Sequence, residues 1–214
     1  MTDLVPGAAG LLAGAVSYAL SLCALVVPGE MSLPTPCPEW DVGMLLAHLS
    51  ASMADLEAGI RTGRLGPGPP DPASGASGDP GDPGDPGDLV GVLRDRAAAL
   101  LCATYDAAGP GRFVAVGGVP VPAGLVACTG AIEIAVHGWD VAAARGGGRS
   151  VSSIPPALAT RLLGLCPLLV AGREGLFAGP VEVPGQASPS DKLVGFLGRD
   201  PGTLPRGPAL VTGE

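Results

Sequence analysis

The chain has 214 residues, of which 47% are hydrophobic, 15% charged and only 3% aromatic, with a net charge of −8. That is enough apolar material for one domain with a core built from Ala, Val and Leu, and it excludes a chain disordered throughout. One lysine and eleven scattered arginines form no basic stripe, which excludes phosphate-tracking nucleic-acid binding.

The first predicted helix covers about 5–27. Residues 4–29 carry no charge before Glu30, which is length enough to span a bilayer. No basic flank precedes them, and Gly10, Gly14, Ser17 and Ser21 make a small, weakly polar stripe opposite Leu12, Val16 and Leu20. This reads as a core helix and not as an anchor, so the expectation is a cytoplasmic protein without a membrane partner. A Pro-rich link, Pro34-Thr-Pro36-Cys-Pro38-Glu-Trp40, leads to a second helix from Asp41, a good N-cap residue, to about Arg61.

Residues 62–88 are a Gly/Asp/Pro-rich insertion with a three-residue repeat, Asp79-Pro-Gly-Asp82-Pro-Gly-Asp85-Pro-Gly. Proline at every third position forbids helix there. The insertion is read as an exposed loop, dispensable for folding, with a lid over the site as the lesser alternative. The third helix covers about 88–108, and Phe113–Val116 with Val119–Val121 read as a short extended connection. The fourth covers about 123–145 and stops at Gly146-Gly-Gly148; the fifth covers about 155–173 and contains Pro167. A last apolar piece at 193–197 reads as a helical turn or two in a small C-terminal extension. The five cysteines (Cys23, Cys37, Cys102, Cys128, Cys166) show no C-x-x-C spacing and read as buried thiols in a reducing compartment.

The chain has two histidines, His48 in the second helix and His137 in the fourth. Glu133 and His137 stand four apart, so a helix puts them on one face. Two imidazoles and a carboxylate from two helices suit a three-ligand site for zinc or a similar divalent ion, with a coordination position left open. The same spacing also suits an ordinary helix-face pair, and the spacing alone leaves both readings standing. Trp40 and Trp139 read as packing residues, Trp139 with a site wall as the lesser alternative. Asp140 reads as an acceptor orienting a ligand imidazole or as an exposed helix carboxylate. Arg199 reads as an anchor for a substrate or thiol carboxylate, or as a surface ion pair.

Thr35-Pro-Cys37-Pro-Glu39-Trp-Asp41 leading into Leu45-Leu-Ala-His48-Leu, with Glu133-Ile-Ala-Val-His137-Gly-Trp-Asp140 later, resembles the DinB-like metal-binding superfamily. Within it, the chain is most similar to the branch of the mycothiol-dependent maleylpyruvate isomerases and their single-domain actinobacterial relatives. The terminal Asp191-Lys-Leu-Val-Gly-Phe-Leu-Gly-Arg199-Asp-Pro is similar to the end of that single-domain branch. The resemblance implies an all-α fold: one DinB-like four-helix bundle over 1–214, with long Pro/Gly-rich loops. It implies a divalent metal, usually zinc, held by His48, Glu133 and His137, and mycothiol as cosubstrate. The implied activity is attack of the thiol on an unsaturated or electrophilic small molecule, ending in cis–trans isomerisation or a thiol conjugate. Two other functions fit the same metal site: hydrolysis by zinc-bound hydroxide, and metal or ligand binding without catalysis.

Overall fold

The structure is a computed structural model that describes residues 7–66, 86–107, 111–146, 152–170 and 178–203. The described residues form six α-helices: α1 (Ala8–Cys23), α2 (Val42–Thr62), α3 (Pro86–Asp106), α4 (Ala123–Ala144), α5 (Pro156–Leu169) and α6 (Pro189–Phe196). The all-α expectation needs one correction. The chain is mostly helical, but β1 (Arg64–Leu65), β2 (Phe113–Val116) and β3 (Val119–Pro122) form a three-stranded sheet in that order. β2 and β3 are an antiparallel hairpin, Phe113 opposite Pro122 and Val116 opposite Val119. The prolines in β3 suit an outer strand, where an N–H is not needed on the open side. The extended connection read at 113–121 is this hairpin; β1, two residues long, has no periodicity that a sequence could reveal.

Local chemistry explains the helix limits. Asp41 caps α2, its carboxylate accepting the Met44 N–H at 2.8 Å, and Ser188 caps α6 through the Asp191 N–H at 3.0 Å. α1 packs on α4 and α3, and α2 on α3 and α4, so the four enclose one apolar core. Leu12, Leu45, Leu46, Leu49, Met53, Leu100, Ile132 and Trp139 are among its fully buried members. Each large aliphatic side chain removed from water there contributes roughly 1.5–3 kcal/mol. The 16-residue α1 buries its stripe of Leu11, Leu12, Ala15, Val16 and Ala19 in this core. α4 is the one helix among the described residues long and apolar enough to cross a membrane, and 83% of its most apolar window is buried inside the fold.

Helix directions follow from the contacts. Gly124 of α4 faces Ala8 of α1, and Gly138 faces Ala19, so α1 and α4 run parallel. A Cβ on Gly138 would meet the Ala19 Cα at 2.9 Å, so the glycine is what lets the two backbones approach. Gly138→Val is expected to force α1 away from α4, costing about 1–3 kcal/mol, or roughly 2–12 °C in melting temperature. Gly10→Ala, with nothing within 4 Å of the added carbon, is the control and should leave stability unchanged or slightly raised.

α2 and α3 also run parallel. β1 follows α2 directly and pairs in parallel with β2, which follows α3. Arg61 at the end of α2 and Cys102, Ala103 and Asp106 near the end of α3 line one cleft with Arg112. Gly66 and Pro86 therefore stand toward opposite ends of α3, a 21-residue helix about 30 Å long. Residues 67–85, which hold most of the insertion, lie outside the described residues. The helix directions still limit how far the insertion can be shortened. A fully extended chain covers about 3.3–3.6 Å per residue, so about nine residues are the minimum. Gly/Ser replacements of about 14 residues should keep the melting temperature, and replacements of five or six should collapse it.

Candidate metal centre

His48 stands seven residues into α2, and Glu133 and His137 lie at and just past the middle of α4. α2 runs against α4, so the three side chains come level. They converge: each offers a ligand atom, and these atoms all lie within 4.8 Å of one another. His48 Nε2 is 3.2 Å from Glu133 Oε1. The Ser52 hydroxyl, one turn after His48 on the same face, donates to that same Oε1 at 2.7 Å. Burial opposes charge on Glu133. The His48 hydrogen bond, the nearby His137 and the Ser52 hydroxyl outweigh it and hold the carboxyl below its ordinary range. Glu133, with 29% of its side chain exposed, is the open side of the triad; His48 is 13% exposed and His137 9%. His48 Nδ1 is buried and has no hydrogen-bond partner.

Behind His137 lies a second layer. Asp140, one turn further along α4 and fully buried, sits with Oδ2 3.1 Å from His137 Nδ1. With Nδ1 engaged this way, Nε2 is the nitrogen left for a ligand. Arg199 reaches Asp140 from beyond α6: Nη2 donates to Oδ2 at 2.9 Å and Nε to Oδ1 at 3.3 Å. Gly198, with φ +82° and the Ala178 backbone 2.7 Å from where a Cβ would stand, makes the turn that sends Arg199 inward. Nη1 of Arg199 donates to the Leu197 carbonyl, and the residue is only 8% exposed. Arg199 is therefore neither a surface ion pair nor an outward-facing anchor for a substrate carboxylate, and Asp140 is not an exposed helix carboxylate. Burial also opposes the charge of Asp140, and contact with His137 and Arg199 overcomes it, holding the carboxyl below its ordinary range.

Cys37, read from the sequence as a core thiol, belongs to this layer. Its Sγ accepts from Arg199 Nη2 at 3.2 Å, donates to Asp140 Oδ2 at 3.3 Å and lies 3.9 Å from His137 Nδ1. Burial first, and the Asp140 charge second, push the thiol up to about 12. Cys37, His137 and Asp140 would also suit a metal by distance. Arg199 already supplies the cation there, bonded to both the sulfur and the carboxylate, and the thiol is protonated at neutral pH. The His48–Glu133–His137 group has no such competitor among the described residues. The other cysteines divide: Cys23, Cys128 and Cys166 are buried, and Cys102 is exposed, against the sequence expectation.

Trp40 supplies the aromatic wall. Its ring centroid lies 4.7 Å from His48 at 62°, and 6.1 Å from His137, nearly stacked at 24°. Trp139, beside His137 in the chain, is buried in the core instead. The loop bearing Trp40 and Cys37 is held by the Thr35 N–H to the Trp40 carbonyl and by the Trp40 N–H to the Cys37 carbonyl. Glu39 between them adopts φ +65°, the only described residue other than glycine in the left-handed region. Three site residues went unread as such in the sequence: Cys37, lost among five similar cysteines, Trp40, read only as a packing residue, and Ser52. The signal for Ser52 was present, because His48 and Ser52 are four apart on one helix face.

A mostly helical fold that brings an imidazole–carboxylate–imidazole cluster together between two of its helices offers the donor groups of a metal site. The chain matches the family described as the mycothiol maleylpyruvate isomerase N-terminal domain over residues 12–142, and it belongs to that family. The family ties it to mycothiol-related, DinB-like metal-binding proteins. It is also similar to two uncharacterized proteins of Mycobacterium tuberculosis, from the Oshkosh and H37Rv strains. Each is 28% identical over 186 residues, 84% of this chain and 90% of theirs. No solved structure matches it.

Proposed function

We propose that His48, Glu133 and His137 hold one divalent ion, most simply zinc, and that the protein uses mycothiol to attack an unsaturated or electrophilic small molecule. The observation that carries the metal is the convergence of three ligand atoms within 4.8 Å. Two imidazole nitrogens and a carboxylate oxygen are a donor set that zinc accepts, and three protein ligands leave a position open. With zinc–ligand bonds of about 2.0–2.2 Å, tetrahedral ligand atoms stand about 3.3–3.6 Å apart. The His48–Glu133 separation of 3.2 Å is already close to that spacing. The thiol comes from the family to which the chain belongs. The cyclic packing of α1, α4, α2 and α3 supports reading the fold as a DinB-like four-helix bundle, with α5 and α6 as the C-terminal extension of the same domain. We place the protein in the cytoplasm, where mycothiol chemistry belongs, with no membrane or nucleic-acid partner.

A divalent ion bound there supplies Lewis acidity, which lowers the pKa of a coordinated thiol and keeps its sulfur nucleophilic at neutral pH. The chain's own residues provide the rest. Asp140 fixes the His137 tautomer by accepting from Nδ1, and Arg199 neutralises Asp140, so the imidazole is oriented without an uncompensated charge beneath it. Trp40 screens the two imidazoles on one side. The more exposed Glu133 side is the approach left to reactants.

Maleylpyruvate and a set of α,β-unsaturated carbonyl compounds, incubated with the protein with and without mycothiol and with and without chelator, test this reading. A geometric isomer or a sulfur conjugate, formed only when both metal and thiol are present, is the expected result. Turnover that needs no thiol would replace this reading with hydrolysis.

A further inference from the structure

We infer that Ser52 is a positioning residue for the metal: its hydroxyl holds Glu133 Oε1 so that the carboxylate meets the ion through one oxygen, which keeps the coordination number low and a position open. This rests on the His48–Glu133–His137 reading above. Ser52 is 3% exposed, so its hydroxyl is shielded from bulk solvent, and its hydrogen bond to Oε1 at 2.7 Å is short and direct. It stands 3.4 Å from His48 Nε2 as well, so one hydroxyl touches a donor atom on each of the two helices that build the site.

The geometry accounts for why a hydroxyl is wanted here. Glu133 Oε1 is shared by His48 and Ser52. His48 and Glu133 would hold the ion, whereas Ser52, outside the three ligands, would keep its hydrogen bond to the carboxylate. A carboxylate held at Oε1 by a buried donor has less freedom to rotate into a two-oxygen grip. One-oxygen ligation suits a small tetrahedral ion such as zinc; the two-oxygen grip suits larger ions with more ligands. Partners of this kind typically change metal affinity by about 10–100-fold when removed.

The experiment compares the full-length wild type, Ser52→Ala and Ser52→Thr, each stripped and reloaded. Zinc affinity is measured by competition with a chromophoric chelator, and coordination by the visible spectrum of the cobalt-loaded protein. Ser52→Ala should bind zinc about 10–100-fold more weakly and lose part of the intense absorption of four-coordinate cobalt. Ser52→Thr, which keeps a hydroxyl at the same place, should recover both. Wild-type affinity and an unchanged cobalt spectrum in Ser52→Ala would overturn the inference while leaving the three ligands in place. Failure of the wild type itself to bind zinc or cobalt would overturn the inference and the parent reading together.

Discussion

His137→Ala is expected to be purified with less than a tenth of the metal carried by the wild type. Structural zinc sites derive about 10–16 kcal/mol from four ligands, so one ligand is worth about 3 kcal/mol, or roughly a 100-fold change in affinity. His137 is the best-prepared ligand of the three. It is 9% exposed, and Asp140 and Trp40 hold its ring before any ion arrives. Elemental analysis of the purified variant decides the matter, and undiminished metal would show that the ligand set is wrong. Cys37→Ser discriminates further. Its thiol belongs to the layer occupied by Arg199, so metal content should stay at the wild-type level. Loss of metal in Cys37→Ser would move the ion to the Cys37–His137–Asp140 group.

The second large effect is on stability. Asp140→Leu leaves the Arg199 guanidinium in the interior with its main counter-charge gone. Breaking one side of a buried pair costs about 3–5 kcal/mol, equivalent to roughly 6–20 °C in melting temperature for a chain of this size. Combining Asp140→Leu with Arg199→Met removes both charges, and most of the lost stability should return. Metal affinity should not return, because His137 Nδ1 still lacks its acceptor. The two readouts separate what the pair does for folding from what it does for the site. Equal melting temperatures for the wild type and Asp140→Leu would show that the clamp contributes nothing to the fold.

The parts of this site legible in the sequence are those written in one helix. Glu133 and His137 are four apart, which fixes them on one face whatever the tertiary structure does. That His48 meets them depended on resemblance, because no local pattern says that α2 runs against α4. Asp140 could be placed one turn from His137, but its burial could not, since the chain that covers it arrives from Arg199, 59 residues away. The same limit hid the role of Cys37. Its partners lie 103 and 162 residues distant, and its sequence neighbourhood is an ordinary Pro-rich turn. Helix limits were legible where local signals mark them, at Asp41 and Gly146. They were less so at the ends of α1, which carries no capping side chain and runs over 8–23 instead of 5–27. The sheet was illegible because a two-residue strand has no period. With it went the parallel course of α2 and α3, and hence the distance that the insertion must span.

Native mass spectrometry of the wild-type chain, before and after incubation with mycothiol, tests the central claim most directly. The expected spectrum shows one divalent ion per chain and, after incubation, one further thiol that survives a phosphine reductant but departs with the metal when a chelator is added. A chain that carries no ion, or a thiol adduct that the reductant removes and the chelator does not, would contradict it.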